Sequence, residues 1–131
     1  MEDALIAKLL ADSGVSALVS NRVYPVSRPQ GTALPAISLG TVSNVPVYTN
    51  DGEAGIAESR VQVDCWGATY GSVKAVARAV TASLSAFFGA VDGRVFQYVL
   101  LDGERDSRES GSNAPEYLFR TQLDFRVLYE N

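Results

Sequence analysis

The residue types that most often carry chemistry are sparse in this chain. There is no histidine among its 131 residues. That removes His-based triads, His metal ligands and imidazole acid–base pairs together. The one cysteine, Cys65, lies in the alternating run Val61-Gln62-Val63-Asp64-Cys65 and points with the two valines. A thiol there is a small buried hydrophobe rather than a nucleophile, because no neighbouring base lowers its pKa. Asp102, Glu104, Asp106 and Glu109 group four oxygen ligands in one segment. Their spacing lacks the regular pattern and terminal Glu of a calcium loop, and Arg105 and Arg108 compete for the carboxylates. A mixed-charge exposed loop outweighs a metal site on that reading. Neither a Gly-Lys-Ser/Thr phosphate loop nor a strand-linked Gly-x-Gly-x-x-Gly occurs. No enzyme, cofactor or metal is expected.

The remaining candidates depend on the elements that hold them. Residues 3–12 predict a first helix with Leu5, Ile6, Leu9 and Leu10 on one face. Ser13 then caps a short second helical turn carrying Val15, Leu18 and Val19. Arg22-Val23-Tyr24-Pro25 reads as a brief strand or extended entry, and residues 27–35, with two prolines and a glycine, as a loop. A strand follows over 36–44, with Ile37, Leu39 and Thr41 sharing a face. Residues 45–57 read as a long loop or projecting hairpin. Pro46 argues against a central strand, and Asn50-Asp51-Gly52 marks the tip. Residues 58–66 alternate cleanly, with Val61, Val63 and Cys65 on one face and Arg60, Gln62 and Asp64 on the other. The main helix is expected over 72–88, with Val73, Val76, Ala77, Val80, Leu84, Phe87 and Phe88 as its stripe and Gly89 as its stop. That stripe is read as core rather than as a partner surface. Another strand spans 94–101 and ends at Asp102-Gly103, residues 104–115 form a polar surface loop, and 117–129 is the last strand. The resulting fold class is α+β: an antiparallel or mixed sheet of about four strands, with a long helix and an N-terminal helix packed on it.

Two surface features follow. Arg60, Arg120 and Arg126 fall on polar strand faces and are expected to pair with Asp64, Asp124 or Glu130, giving a salt-bridged wet face rather than a nucleic-acid surface. Val45, Val47, Tyr48 and Ile56 are apolar residues on an exposed excursion. Such a group either folds back on its own sheet or meets a partner.

Bulk composition fits one domain spanning 1–131, with a core that removes roughly two-thirds of the unfolded chain's surface. Apolar residues make up 47% and charged residues 20%, so disorder is not expected. Apolar runs fall far short of the ~18 residues of a membrane helix. The acidic Met-Glu-Asp start is the wrong pattern for a secretory signal, and the lone cysteine fits a reducing cytosol. A formal charge of −4 gives the free monomer no general attraction to nucleic acid.

Several pieces, taken in order, resemble the tail-completion, or tail-terminator, proteins of long-tailed phages and phage-derived particles. They are a helix followed by 15–25 (Val-Ser-Ala-Leu-Val-Ser-Asn-Arg-Val-Tyr-Pro), Pro-Gln-Gly-Thr-Ala-Leu-Pro at 29–35, Asp51-Gly52, Arg60 to Trp66 and the helix after it. Glu104-Arg105-Asp106 and Leu123 to Val127 complete the set. The resemblance implies a structural role with no cofactor. Subunits would form a ring, typically a hexamer, at the head-proximal end of the tail tube. The ring would stop tube polymerisation and present a surface to the head connector. It implies a virion protein of the tail or neck, made in the bacterial cytoplasm. Its partners would be further copies of itself, the tube protein and the connector or stopper. DNA would pass without specific binding, and no membrane would be involved. The interface residues expected are Val45, Val47, Tyr48 and Ile56 on the arm, with Arg105, Arg108 and Glu109 in the polar segment. A head-side adaptor or stopper is the nearest alternative, and an unrelated small-molecule binding domain the next.

Overall fold

The computed structural model describes all residues except 30, 32, 111–116 and 131, and the backbone alone at 53, 109, 110 and 117. Its first helix, α1 (Glu2–Ala11), is followed directly by α2 (Ser13–Val19). The cap between them is Asp12, not Ser13. Its carboxylate accepts from the backbone N–H groups of Gly14 and Val15 at 2.9 and 3.1 Å, and Ser13 is the first helical residue. Leu5, Leu9, Val15 and Val19 are buried, whereas Leu10 and Leu18 are exposed. The two helices are too short and too sharply joined to bury the full width of the expected stripes.

Strands β1 (Val23–Pro25), β2 (Ala36–Thr49) and β3 (Gly52–Gly67) come next, then α3 (Tyr70–Leu84). The chain finishes with β4 (Phe87–Val91), β5 (Arg94–Ser110) and β6 (Tyr117–Glu130). The described residues thus form a mixed α+β structure of three helices and one six-stranded sheet, ordered β1-β2-β3-β6-β5-β4. Only β1 and β2 run parallel; the other neighbours are antiparallel.

The expected count of about four strands becomes six, because the brief β1 joins the sheet and β4 is a further strand, and two expected boundaries move. The helix stops at Leu84, so Phe87 and Phe88 belong to β4. Ala86 adopts a positive φ of 61°, and its N–H donates to the Val99 carbonyl at 2.8 Å. That bond lifts the chain off the helix and lays it on β5. An aromatic pair suits a half-buried strand as well as a helix, so periodicity alone does not separate the two. Asp102-Gly103 does not end β5 either. A register shift between Leu101 and Gly103 absorbs the pair, and the strand runs on through 104–110, where a loop was expected. The rest of that expected loop, with Gly111, Asn113 and Pro115, lies outside the described residues.

The long helix begins at Tyr70 because Thr69 caps it, its hydroxyl accepting from the Ser72 N–H at 3.1 Å. Gly67 permits the tight turn before it. A Cβ there would fall 2.6 Å from Ser72 Oγ and 2.7 Å from Val73 Cγ2. Helix α3 carries the chain across the sheet from β3 to the far edge strand β4. All three helices cover one face of the sheet. Val76, Ala77, Val80 and Leu84 of α3 pack there with Val61, Val63 and Cys65 of β3 and with Leu123, Phe125 and Val127 of β6, and Val73 is buried as well. The expected core faces of these strands and of the helix to Leu84 are those observed.

Candidate assembly surface

Strand lengths and register decide the shape of the surface. β3 pairs with β6 from Ile56↔Glu130 at one end to Gly67↔Phe119 at the other. The β2–β3 hairpin continues past the first end to its turn at Asn50-Asp51, while β5 and β6 continue past the second end to Ser110↔Tyr117. The β2–β3 hairpin therefore projects from one end of the sheet, and β5–β6 extends two described residue pairs beyond β3 at the other. On β2, β1 covers only Ile37–Leu39, so Pro46 sits on an uncovered edge stretch, where a missing N–H costs no ladder bond. Tyr129 anchors the base of the β2–β3 hairpin, its phenol donating to Asn44 Oδ1 at 2.8 Å.

The sheet face away from the helices holds two regions. Toward the β5–β6 tip it is a ladder of charges. Arg60 and Arg126 stand directly opposite each other, and Asp102 bridges them at 3.2 Å to each guanidinium. Glu58 approaches Arg126 at 3.8 Å, Asp124 approaches Arg105 at 3.6 Å, and Asp64 approaches Arg120 at 3.6 Å. At the far end of the ladder the Trp66 ring has the Arg28 guanidinium 5.0 Å and the Arg120 guanidinium 4.9 Å from its centroid. The Trp66 indole N–H donates to Ser38 Oγ at 3.1 Å, which fixes the ring. The salt-bridged wet face expected from alternation is present, although Asp102, read as a strand end, is the residue that links two of its arginines.

Toward the β2–β3 tip the same face turns apolar. Register places Val45 beside Glu58, Leu128 across from Glu58, and Tyr98 across from Leu128. Apolar side chains on this face, Ile56 and Leu100 among them, thus form a band interrupted by Glu58, with Leu100 beside Arg126 and Ile56 beside Glu130. Phe88, expected in the core stripe, is 76% exposed, and Tyr48 beside the tip is 68% exposed. Val45 and Val47 line one shallow depression with Ser43, Glu58 and Arg60. The structure thus brings Val45 and Val47 together, places Ile56 on β3 opposite Glu130, and sets Arg105 and Arg108 toward the opposite end of the sheet, both exposed. The side chain of Glu109 lies outside the described residues. Sequence reading missed Phe88, Leu100 and the Arg28–Trp66–Arg120 stack. For the stack, a Trp flanked in space by residues from distant segments leaves no local signal.

Electrostatics on the helix side are structural. Glu104 and Asp106 face α3 and pair with Lys74 at 3.4 and 3.2 Å, while Asp102 faces the other way, so these three acids do not converge. Among the described residues no group of three or more His, Cys, Asp or Glu side chains is placed to hold a metal ion. The buried Thr121 hydroxyl donates to Asp106 at 2.7 Å and holds that carboxyl below its ordinary range, with Lys74 adding to the effect. Burial disfavours the Lys74 charge, but Asp106 and Glu104 outweigh it and raise the ammonium's pKa. The Thr41 hydroxyl, donating to Glu2, likewise lowers that carboxyl. Burial pushes the Cys65 thiol well above its usual range, the reverse of what a nucleophile needs.

A projecting hairpin beside exposed apolar side chains makes a surface suited to contacts with other proteins. The comparisons agree. Residues 3–130 match the model of the family described as tail completion protein gp17, so the chain belongs to that family. Its role is structural, in the tail or neck of a phage-like virion, and it is not an enzyme. Among solved structures, a chain of "Virion of native gene transfer agent (GTA) particle" has the same fold, with a TM-score of 0.78 and 22% identity over 100% of this chain and 95% of that one. A second solved chain is more distant, with 15% identity over 97% of this chain and 96% of that one and a TM-score of 0.49. No curated protein sequence matches.

Proposed function

We propose that the chain, acting as one domain over 1–131, forms a ring on the head-proximal end of the tail tube, ends tube polymerisation there and offers its outer surface to the head connector. The observation that carries this reading is the β2–β3 hairpin projecting from one end of the sheet beside exposed apolar side chains on one face, with β5–β6 overhanging the other end by two described residue pairs. Identical subunits closing into a ring need two different patches, one on each side of every contact. A hexamer is the proposed stoichiometry. The arm residues Val45, Val47, Tyr48 and Ile56 are assigned to contacts between copies or with the tube. Arg105 and Arg108, with Glu109 beside them in sequence, are assigned to the opposite side. Several copies at −4 each repel phosphate, which suits a conduit that DNA crosses without sticking.

Tyr48→Asp tests this. Its ring is exposed, so the fold and melting temperature remain those of the wild type, while tube capping is lost because the new charge is desolvated at a contact. Wild-type capping by this variant would clear the arm of the role.

A further inference from the structure

If the subunits form a ring, as proposed above, the tip of the β2–β3 hairpin must meet a different patch on the next copy. Residues 41–59 contain no lysine or arginine, and Asp51 stands exposed in the turn, with Glu53 following in the sequence. The turn is held in shape by the Asp51 N–H donating to Thr49 Oγ1 at 3.3 Å, and Tyr48 is exposed beside it. The tip is thus a narrow acidic element carrying one free aromatic ring.

At the other end of the open face, Arg28 lies over Trp66 and has no carboxylate within ion-pair distance among the described residues. Its Nε is buried without a hydrogen-bond partner. The indole holds the guanidinium in place, so little side-chain freedom remains to be lost when a carboxylate arrives. The tip and the stack lie at opposite ends of β3, on the order of 45 Å apart at the usual strand rise, so no subunit can join its own two parts.

We infer that the Arg28–Trp66–Arg120 stack is the receptor for the hairpin tip of a second copy, with Asp51 pairing to Arg28. A single carboxylate on a narrow hairpin fits one uncompensated guanidinium. A polyanion such as DNA fits less well, because Asp64 already stands within the cluster and the chain as a whole is negative.

The test uses assembled tails carrying Asp51→Cys and Arg28→Cys in one chain, treated with a short bismaleimide; native Cys65 is buried and does not compete. The expected result is a ladder of covalent multimers of this chain, absent from either single variant. In parallel, Asp51→Arg and Arg28→Glu each reduce capping several-fold, and the two combined restore it. Subunits that still cross-link to one another through lysines but not through these cysteines would overturn the contact and leave the ring standing. Absence of any self-cross-link would remove both. A cysteine link to another tail protein, or normal capping by both Arg28 variants, as a DNA-facing cluster predicts, would also overturn the inference.

Discussion

Asp102→Asn removes the carboxylate that separates Arg60 from Arg126 while keeping its shape. The acid sits 3.2 Å from each guanidinium, so two ion pairs are lost together. Exposed pairs contribute about 0.2–1 kcal/mol each. The side chains of Arg60, Arg126 and Asp102 are 58%, 46% and 33% exposed, which places both pairs in the screened part of that range. The two arginines, directly opposite on neighbouring strands, then repel each other, which adds a few tenths. The expected loss is about 1 kcal/mol, or roughly 4 °C in Tm for a domain of this size. Salt separates this account from its rivals. The screening length falls from about 10 Å at 0.1 M to about 3 Å at 1 M, so the difference between variant and wild type shrinks by more than half at high salt. Urea unfolding of both proteins at the two salt concentrations measures it. A loss of 3 kcal/mol or more, or one that persists unchanged in 1 M salt, would refute the reading of this face as a solvated charge ladder.

Three further perturbations probe the rest of the fold. Val63→Asp places a charge at a fully buried position with no partner, and circular dichroism should show an unfolded chain. Gly67→Ala forces a methyl against Ser72 and Val73 and should cost about 1–3 kcal/mol in urea unfolding; a neutral result would mean the β3–α3 turn relaxes freely. Asp106 and Glu2 both have lowered folded-state pKa values, so their stabilisation is fully present above the unfolded carboxylate range near about 4 and is lost as pH falls through the lowered values. The urea midpoint should therefore drop below about pH 4, and Asp106→Asn should flatten that drop. An equally steep drop in the variant would deny Asp106 the role.

The core was legible in the sequence because alternation is a direct image of a sheet with one dry face. Val61, Val63 and Cys65, and Leu123 to Tyr129, lie where that period puts them. The turn at Asp51 was legible because its chemistry is local, but the segment around it read equally as a long loop or a projecting hairpin, and pairing of β2 with β3 decides for the hairpin. What failed was punctuation. Phe87 and Phe88 continue a helical stripe in the sequence, and only a long-range bond from Ala86 to Val99 ends the helix before them. Asp102-Gly103 looks like a turn until β6 supplies a partner across the bulge. The arm residues were singled out correctly as exposed or half-exposed apolar side chains, but Arg105 and Arg108 were placed in a loop and stand on a strand. The Arg28–Trp66–Arg120 stack joins a loop and two strands, so no window of sequence contains it.

The central claim, that this chain caps the tail tube, is tested most directly by electron microscopy of tails from the parent particle with its gene deleted. Overlong tubes without heads are expected, returned to normal length and head joining when the purified protein is added during assembly. Tails of normal length that fail only to join heads would contradict the capping role and make the protein a head-side adaptor instead.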